Sequence, residues 1–374
     1  MSGRMGRMLA PLFLGSLLPL FAFGEEANSV KPAPAESRIG PWKGLLGRTD
    51  VEGLIEFGGA YKSAGLDGGG SENLADIHLT TVEIGIAIPV HDWIRAKTVF
   101  LYEDPFHAEE GSLRLDAAFV TLGNTEEFPL YLSAGKLYVP FGVIQTHLPD
   151  EPAVDQPMTL ILGETSGKAA VLGIELPGFS LSGYILDGSA RRTGRGAGMS
   201  HGFDGHFRSS SNGPMEMLLG ASYLSNIANA NCLADTVCPD INVRGGKVAG
   251  LAAYVHLGLR RAFFDCEYVT ALEDFCPEAL PRARGGGAQP SAWNIEAGYR
   301  WNRERGLETV FKYAGSRETE ALGLARRRFG VGLNREIVRS TTASFAFLRD
   351  RYSAGDVHGR GNGWTMLGQI AVAF

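Results

Sequence analysis

The sequence predicts an all-β fold, a 16-stranded antiparallel transmembrane β-barrel, and three observations carry that prediction. Short segments alternate apolar with polar or small residues, the period of 2 that belongs to a strand with one greasy face. The connections between them alternate in length, short turn then longer loop, as a barrel with turns on one side of a membrane and loops on the other requires. The last stretch sets Trp364, Met366, Gly368, Ile370, Val372 and Phe374 on one face and ends on an aromatic ring. About eleven residues of this pattern cross a tilted barrel wall.

Composition agrees. Mean hydropathy is close to zero, as expected of strands that face lipid on one side and water on the other. Glycine accounts for 50 of 374 residues, nearly twice the usual ~7%, which suits a curved wall where backbones approach closely. A net charge of −6 leaves no basic footprint for nucleic acid. Arg4 and Arg7 precede the apolar run 8–23, and Ala22-Phe23-Gly24 forms a small-x-small site, so residues 1–24 read as a cleaved secretory signal peptide. The Pro-rich segment 25–49 reads as a periplasmic N-terminal tether, and 50–374 as the barrel. No run of 18 apolar residues follows the leader to make a membrane helix.

The strands follow in order. In 51–61, Val51, Ile55, Phe57 and Tyr61 oppose Glu52, Leu54, Glu56 and Ala60. A Gly-rich loop leads to 77–90, where Val82, Ile84, Ile86 and Ile88 face out and Glu83, Gly85 and Ala87 face in. The tight P-V-H-D turn and Trp93, an interfacial aromatic, join it to 94–103 as a hairpin. Strand 113–122 places Arg114 and Asp116 inward, and 130–139 follows the turn G-N-T-E-E-F-P. Pro177-Gly178 joins 168–176 to 179–186. The weaker 200–207 turns at S-S-S-N-G-P into 215–224. Strand 247–257 precedes 261–270, and N-R-E-R-G joins 292–301 to 307–314. N-R-E-I joins 327–333 to 340–348, and 364–374 closes the set. Long loops fall at 62–76, 103–112, 139–166, 187–199, 225–246, 271–291, 315–326 and 350–362. An even count with this alternation is the pattern of outer-membrane porin-type barrels, and sixteen strands enclose a water-filled lumen.

Function is then sought on the inner face. Expected pore-lining residues are Arg95, Lys97, Arg114, Asp116, Lys136, Glu296, Arg300 and Lys312, with Asp150, Glu151, Asp155 and Glu164 on the loop 139–166. At 28 residues that loop is the longest, and by position it is the third external loop, which in many porins folds inward; it is expected either to narrow the pore or to stay solvated outside. Inner charges of both signs leave open whether any selective ring exists. The basic loop pieces Arg191-Arg192, Arg282/Arg284 and 326–328 could draw in anions or sit near lipopolysaccharide phosphates. The eight His are scattered without metal-ligand spacing, no nucleophile elbow is present, and G-E-T-S-G-K at 163–168 leads into a strand rather than a phosphate-loop helix. Neither cofactor nor enzymatic activity is expected. Cys232 and Cys238 share one loop of an exported chain and are expected to pair, while Cys266 and Cys276 lie too far apart along an extended strand.

Five segments, taken together, resemble the LbtU-type siderophore porin family: T-T-V-E-I-G-I-A-I-P-V-H-D-W, F-V-T-L-G-N-T-E-E-F-P-L-Y-L-S-A-G-K-L-Y-V-P-F-G, D-Q-P-M-T-L-I-L-G-E-T, G-A-S-Y-L-S-N-I-A-N-A and A-W-N-I-E-A-G-Y. They span most of residues 50–315. The resemblance implies a barrel in the outer membrane that passes ferric siderophore, or a similarly sized solute, without a TonB-driven plug. The rival readings are a general or anion- or sugar-selective porin, and a non-conducting structural or adhesin barrel. Expected partners are the solute, outer-membrane lipids, the barrel assembly machinery through Phe374, and two further copies in a homotrimer.

Overall fold

The computed structural model describes residues 48–374 except 67–68, 105–110, 143–154, 188–198, 210–214, 238–246, 303–305 and 354–358. Sixteen strands form one closed antiparallel sheet in chain order. They are β1 (Asp50–Leu66), β2 (Ser71–His91), β3 (Ile94–Glu103), β4 (Ser112–Leu122), β5 (Leu130–Tyr138), β6 (Ser166–Leu176), β7 (Phe179–Leu186) and β8 (Ser200–Arg208). The second half comprises β9 (Met215–Leu224), β10 (Gly250–Leu259), β11 (Ala262–Ala271), β12 (Ser291–Asn302), β13 (Leu307–Arg317), β14 (Arg327–Val338), β15 (Thr341–Arg351) and β16 (Arg360–Ala373). Closure comes from β1 pairing with β16, Leu54 opposite Ala373 through Leu66 opposite Arg360. The ladder ends with Gly53 and Phe374 exchanging backbone hydrogen bonds of 2.7 and 2.9 Å. The Phe374 ring lies over Gly53, where any Cβ would collide with it.

Cross-strand partners share a face, so the register fixes two surfaces. Ile55 stands opposite Val82, and Gly53 opposite Ile84, which in turn stands opposite Phe100. That row faces out, as expected for Ile84, Ile86 and Ile88, and it continues around the wall through exposed Leu172, Phe203, Phe311, Phe329, Phe345 and Ile370. An Arg or Lys at the midplane of such a wall costs about 2–4 kcal/mol, and the outward cations accordingly sit toward strand ends. Single-residue bulges at Thr80 and Asp116 switch which alternate residues face out, from Ile77 and Leu79 to Val82 and Ile84 on β2 and from Leu113 and Leu115 to Val120 and Leu122 on β4.

Inside the barrel, Tyr131 lies over Gly173, Tyr184 over Gly202, Tyr254 over Gly220 and Phe263 over Gly298. In each pair the ring occupies the space a Cβ on the opposing strand would need. Flat rings over cross-strand glycines account for part of the glycine excess.

Two stretches expected as a loop and a turn are taken up by strand. The first long loop, expected at 62–76, is mostly ladder: β1 runs to Leu66 and β2 starts at Ser71, with Gly69 and Gly70 at positive φ in the turn. The turn expected at N-R-E-I is also strand, since Arg335 and Glu336 pair with Ala343 and Thr342 and the chain reverses at Ser340. Polar alternation reads as a turn but still makes a ladder once the partner strand is present.

Candidate channel constriction

The loop between β5 and β6 enters the barrel. Val139 and Phe141 turn into the interior, and the Gly142 amide, at φ +67°, donates to Ser222 Oγ on β9 at 2.8 Å. Asp155, further along the same loop, sits beside β13 and β14. A one-and-a-half-turn helix, α1 (Met158–Gly163), then packs on β11, β12 and β13 before Ser166 rejoins the wall. β5 and β13 are half the barrel apart, so the loop spans the lumen. The sequence left two readings open for this segment, and the inward one holds for its described residues.

Apolar burial fixes one side of the loop. Phe141, Met158 and Leu162 join Ile227 and Leu233 of the β9–β10 connection, and all pack on inward Val171, Leu186, Leu224 and Val269. α2 (Asn231–Thr236), from that connection, seals the return: its Asn231 amide donates to Glu164 O at 2.7 Å, and Ser166 N and Oγ donate to Asn231 Oδ1. An inward apolar lining is stable here because the loop's own residues cover it. Each such side chain contributes about 1.5–3 kcal/mol when taken from water.

Charge fixes the other side. Lys312 Nζ on β13 donates to Asp155 Oδ1 at 2.7 Å and lies 3.2 Å from Glu296 Oε1 on β12. Asn294 donates to the same Glu296 oxygen at 2.9 Å. Arg328 NH1 on β14 donates to Asp155 Oδ2 at 2.8 Å, while its Nε and NH2 grip Asp350 of β15 bidentately at 2.7 and 2.8 Å. Tyr352, just past β15, donates to Asp350 at 3.3 Å, and burial together with that carboxylate pushes its phenol up to about 12. Asp155 is thus the loop's charged foothold on the wall opposite β5. A second arc of inner side chains runs beside it: His206 and Tyr254 share Asp204, and His256 faces Asp265.

The expected pore-lining residues separate into groups. Asp155, Glu296 and Lys312 come together, but their side chains are 4%, 0% and 1% exposed, so they form a buried clamp rather than a solvent-facing ring. Arg114 meets Asp116 and Glu103 on the inner face near the long-loop end, with Tyr138 donating to Asp116 at 2.9 Å. Lys97, which ion-pairs with Glu52, lies inward toward the short-turn end, as do Arg95 and Arg300, the last bonded to Glu308 at 2.7 Å. Glu164 closes the loop's return. Asp150 and Glu151 lie outside the described residues.

Lys136 is a correction. It stands opposite Ala118 and Lys168 in the row that continues through exposed Val120, Leu132 and Leu172, so it faces out, its ammonium donating to the Leu115 carbonyl. The inward positions of β5 are Tyr131, Ser133, Gly135 and Leu137, one step away. Arg328, read in the sequence within the basic loop piece 326–328, lies on β14 and turns inward to Asp155. Asp350 was missed because the strand was ended at 348; extending the period of 2 by one step would have placed it inward.

The disulfide expectation is also corrected. Cys232, Cys266 and Cys276 carry free thiols, and Cys238 lies outside the described residues. α2 takes up the segment that would have closed the Cys232–Cys238 ring, with Thr236 Oγ1 donating to the Cys232 carbonyl at 3.0 Å. Burial pushes the Cys232 thiol up. It is expected to alkylate slowly at neutral pH without any reductant, read by peptide mass; a bridged Cys232 gives an adduct only after reduction.

No family model matches the chain. It is similar to a UPF0422 protein of Coxiella burnetii, at 26% identity over 305 residues covering 80% of this chain and 63% of the relative. It is equally similar to UPF0422 protein lpl2888 of Legionella pneumophila (strain Lens), at 26% over 333 residues covering 82% and 58%. The chain spans about three-fifths of the length of the curated relatives it matches. Among solved structures, OprB of Pseudomonas putida superposes with a TM-score of 0.57 at 11% identity, covering 90% of this chain and 96% of that one. An anion-selective porin from Comamonas acidovorans gives 0.57 at 13% identity, covering 87% and 99%. OmpF of Salmonella typhi in complex with daunomycin gives 0.56 at 13% identity, covering 87% and 97%. The likeness is one of fold, and that fold is the outer-membrane porin barrel.

Proposed function

We propose that the chain is an outer-membrane channel, exported through its 1–24 leader, that passes ferric siderophore or a solute of similar size. The observation that carries this reading is the inward loop clamped by Asp155 to Lys312 and Arg328 within a closed barrel whose outer rows are apolar. A wall that is greasy outside fits a bilayer, and a lumen crossed by one anchored loop fits size-selective passage. The loop is built from Y-V-P-F-G and D-Q-P-M-T-L-I-L-G-E-T, two of the segments that resemble the siderophore porin family, and that resemblance supports the cargo and the absence of an energised partner. Assembly as a homotrimer belongs to the same reading.

The buried apolar cluster around Phe141, Met158, Leu162, Ile227 and Leu233 favours a second reading, a barrel closed by its own side chains. Planar-bilayer recording separates the two. Discrete conductance steps support the channel, and silence from a folded, inserted barrel supports the closed wall. Liposomes should then take up a ferric siderophore faster than neutral sugars of matched size; equal or slower uptake removes the siderophore assignment and leaves a general porin.

A further inference from the structure

Where β13, β14 and β15 reach the long-loop end, four arginines converge on the outer face. Arg327 stands directly opposite Arg351, and Arg349 stands between Phe329 and Trp364 in the next outward row. Arg317 lies over the Trp293 ring at 5.9 Å, two residues beyond the Gly315 that pairs with Arg327. All four are exposed. The nearby carboxylates are engaged elsewhere, Asp350 inside the barrel by Arg328 and Glu318 by Arg282, and no ion pair forms to any of the four among the described residues. Residues directly opposite on an antiparallel pair have their Cβ atoms about 5 Å apart, and like charges placed there repel. An anion between Arg327 and Arg351 turns that repulsion into attraction.

Directly below, toward the middle of the wall, an apolar groove of about 530 Å³ runs between Ile295, Phe311, Tyr313, Phe329, Val331 and Phe347, with Arg349 at its edge. Phosphate-binding charge above an acyl-sized groove matches one ligand chemistry. A second copy of the chain matches poorly, because the outward rows of the sixteen strands carry no Asp or Glu among the described residues. The same end of the outer wall repeats the pattern at Lys136, opposite Lys168.

We propose that this face binds a phosphorylated acyl lipid of the outer leaflet, its phosphate between Arg327 and Arg351 and one acyl chain in the groove; the proposal rests on the membrane reading above. The test uses the full-length barrel in detergent, titrated with bisphosphorylated lipid A and with its phosphate-free form. The wild type should prefer the phosphorylated lipid by at least about tenfold, since each basic group near an anionic lipid surface adds attraction. Arg327→Gln with Arg351→Gln should abolish the preference, and Arg349→Gln should halve it or more, with heat-modifiable gel mobility and single-channel conductance unchanged. Equal binding of the two lipids by the wild type, or a preference that survives the double substitution, overturns the site. So does an oligomer that the double substitution dissociates in lipid-free detergent, which makes the face a subunit contact. A barrel that conducts without discriminating the lipids sinks this site alone; one that discriminates but stays silent sinks the channel alone.

Discussion

Replacing Asp155 by asparagine is expected to raise single-channel conductance and to make the open level noisier. Asp155 holds two cations on the far wall, Lys312 at 2.7 Å and Arg328 at 2.8 Å, and asparagine keeps its shape while removing its charge. Each lost charge-assisted hydrogen bond weakens the tether by about 1.5–3 kcal/mol. The wall itself should survive, because Lys312 keeps Glu296 and Arg328 keeps its bidentate grip on Asp350. The substitution therefore frees the loop without unfolding the barrel. Deleting residues 150–162 sets the upper bound, since it also removes part of α1 and its apolar packing. Conductance should rise in the order wild type, Asp155→Asn, deletion. If neither variant differs from the wild type, the loop does not set the narrowest point.

The wall was legible in the sequence because each barrel strand writes its two faces into alternate residues. The face assignments of β1 to β4, including outward Ile84 and inward Arg114, agree with the register on each side of the bulges, while the flip of the period at Thr80 and Asp116 is not written in the alternation. Even the weakly patterned β8 is present, held on both sides by β7 and β9. What alternation cannot give is the contact between a loop and a strand far away in the chain. Asp155 meets Lys312 across 157 residues and Arg328 across 173, and nothing local at any of the three distinguishes a clamp from a solvated charge. Lys136 misled for a related reason. A lysine in a barrel strand suggests the lumen, whereas near the long-loop end of β5 the outer row is shallow enough in the membrane to hold one. Cys232 and Cys238 suggested a ring because spacing carries no sign of the helix that occupies it.

Of all single substitutions in the lumen, Arg328→Met is expected to cost the most stability. Arg328 is bonded to Asp350 and Asp155, whose side chains are 2% and 4% exposed. Methionine fills much of the volume but leaves Asp350, among the described residues, with the Tyr352 hydroxyl at 3.3 Å and the more distant charge of Lys62, while Asp155 retains Lys312. Removing one partner of a buried pair costs about 3–5 kcal/mol, mostly the penalty of the charge left behind. That origin makes a distinctive prediction about the double variant. Arg328→Met with Asp350→Leu removes the stranded carboxylate as well, and should recover most of the loss rather than add to it. Arg328→Lys keeps the charge but not the planar fork, and should fall between the wild type and Arg328→Met. Urea unfolding in lipid vesicles, followed by tryptophan fluorescence, reads all three. A double variant less stable than Arg328→Met shows that Asp350 contributes through its packing and its bond to Tyr352, and that the Arg328 grip is not what holds this part of the wall together.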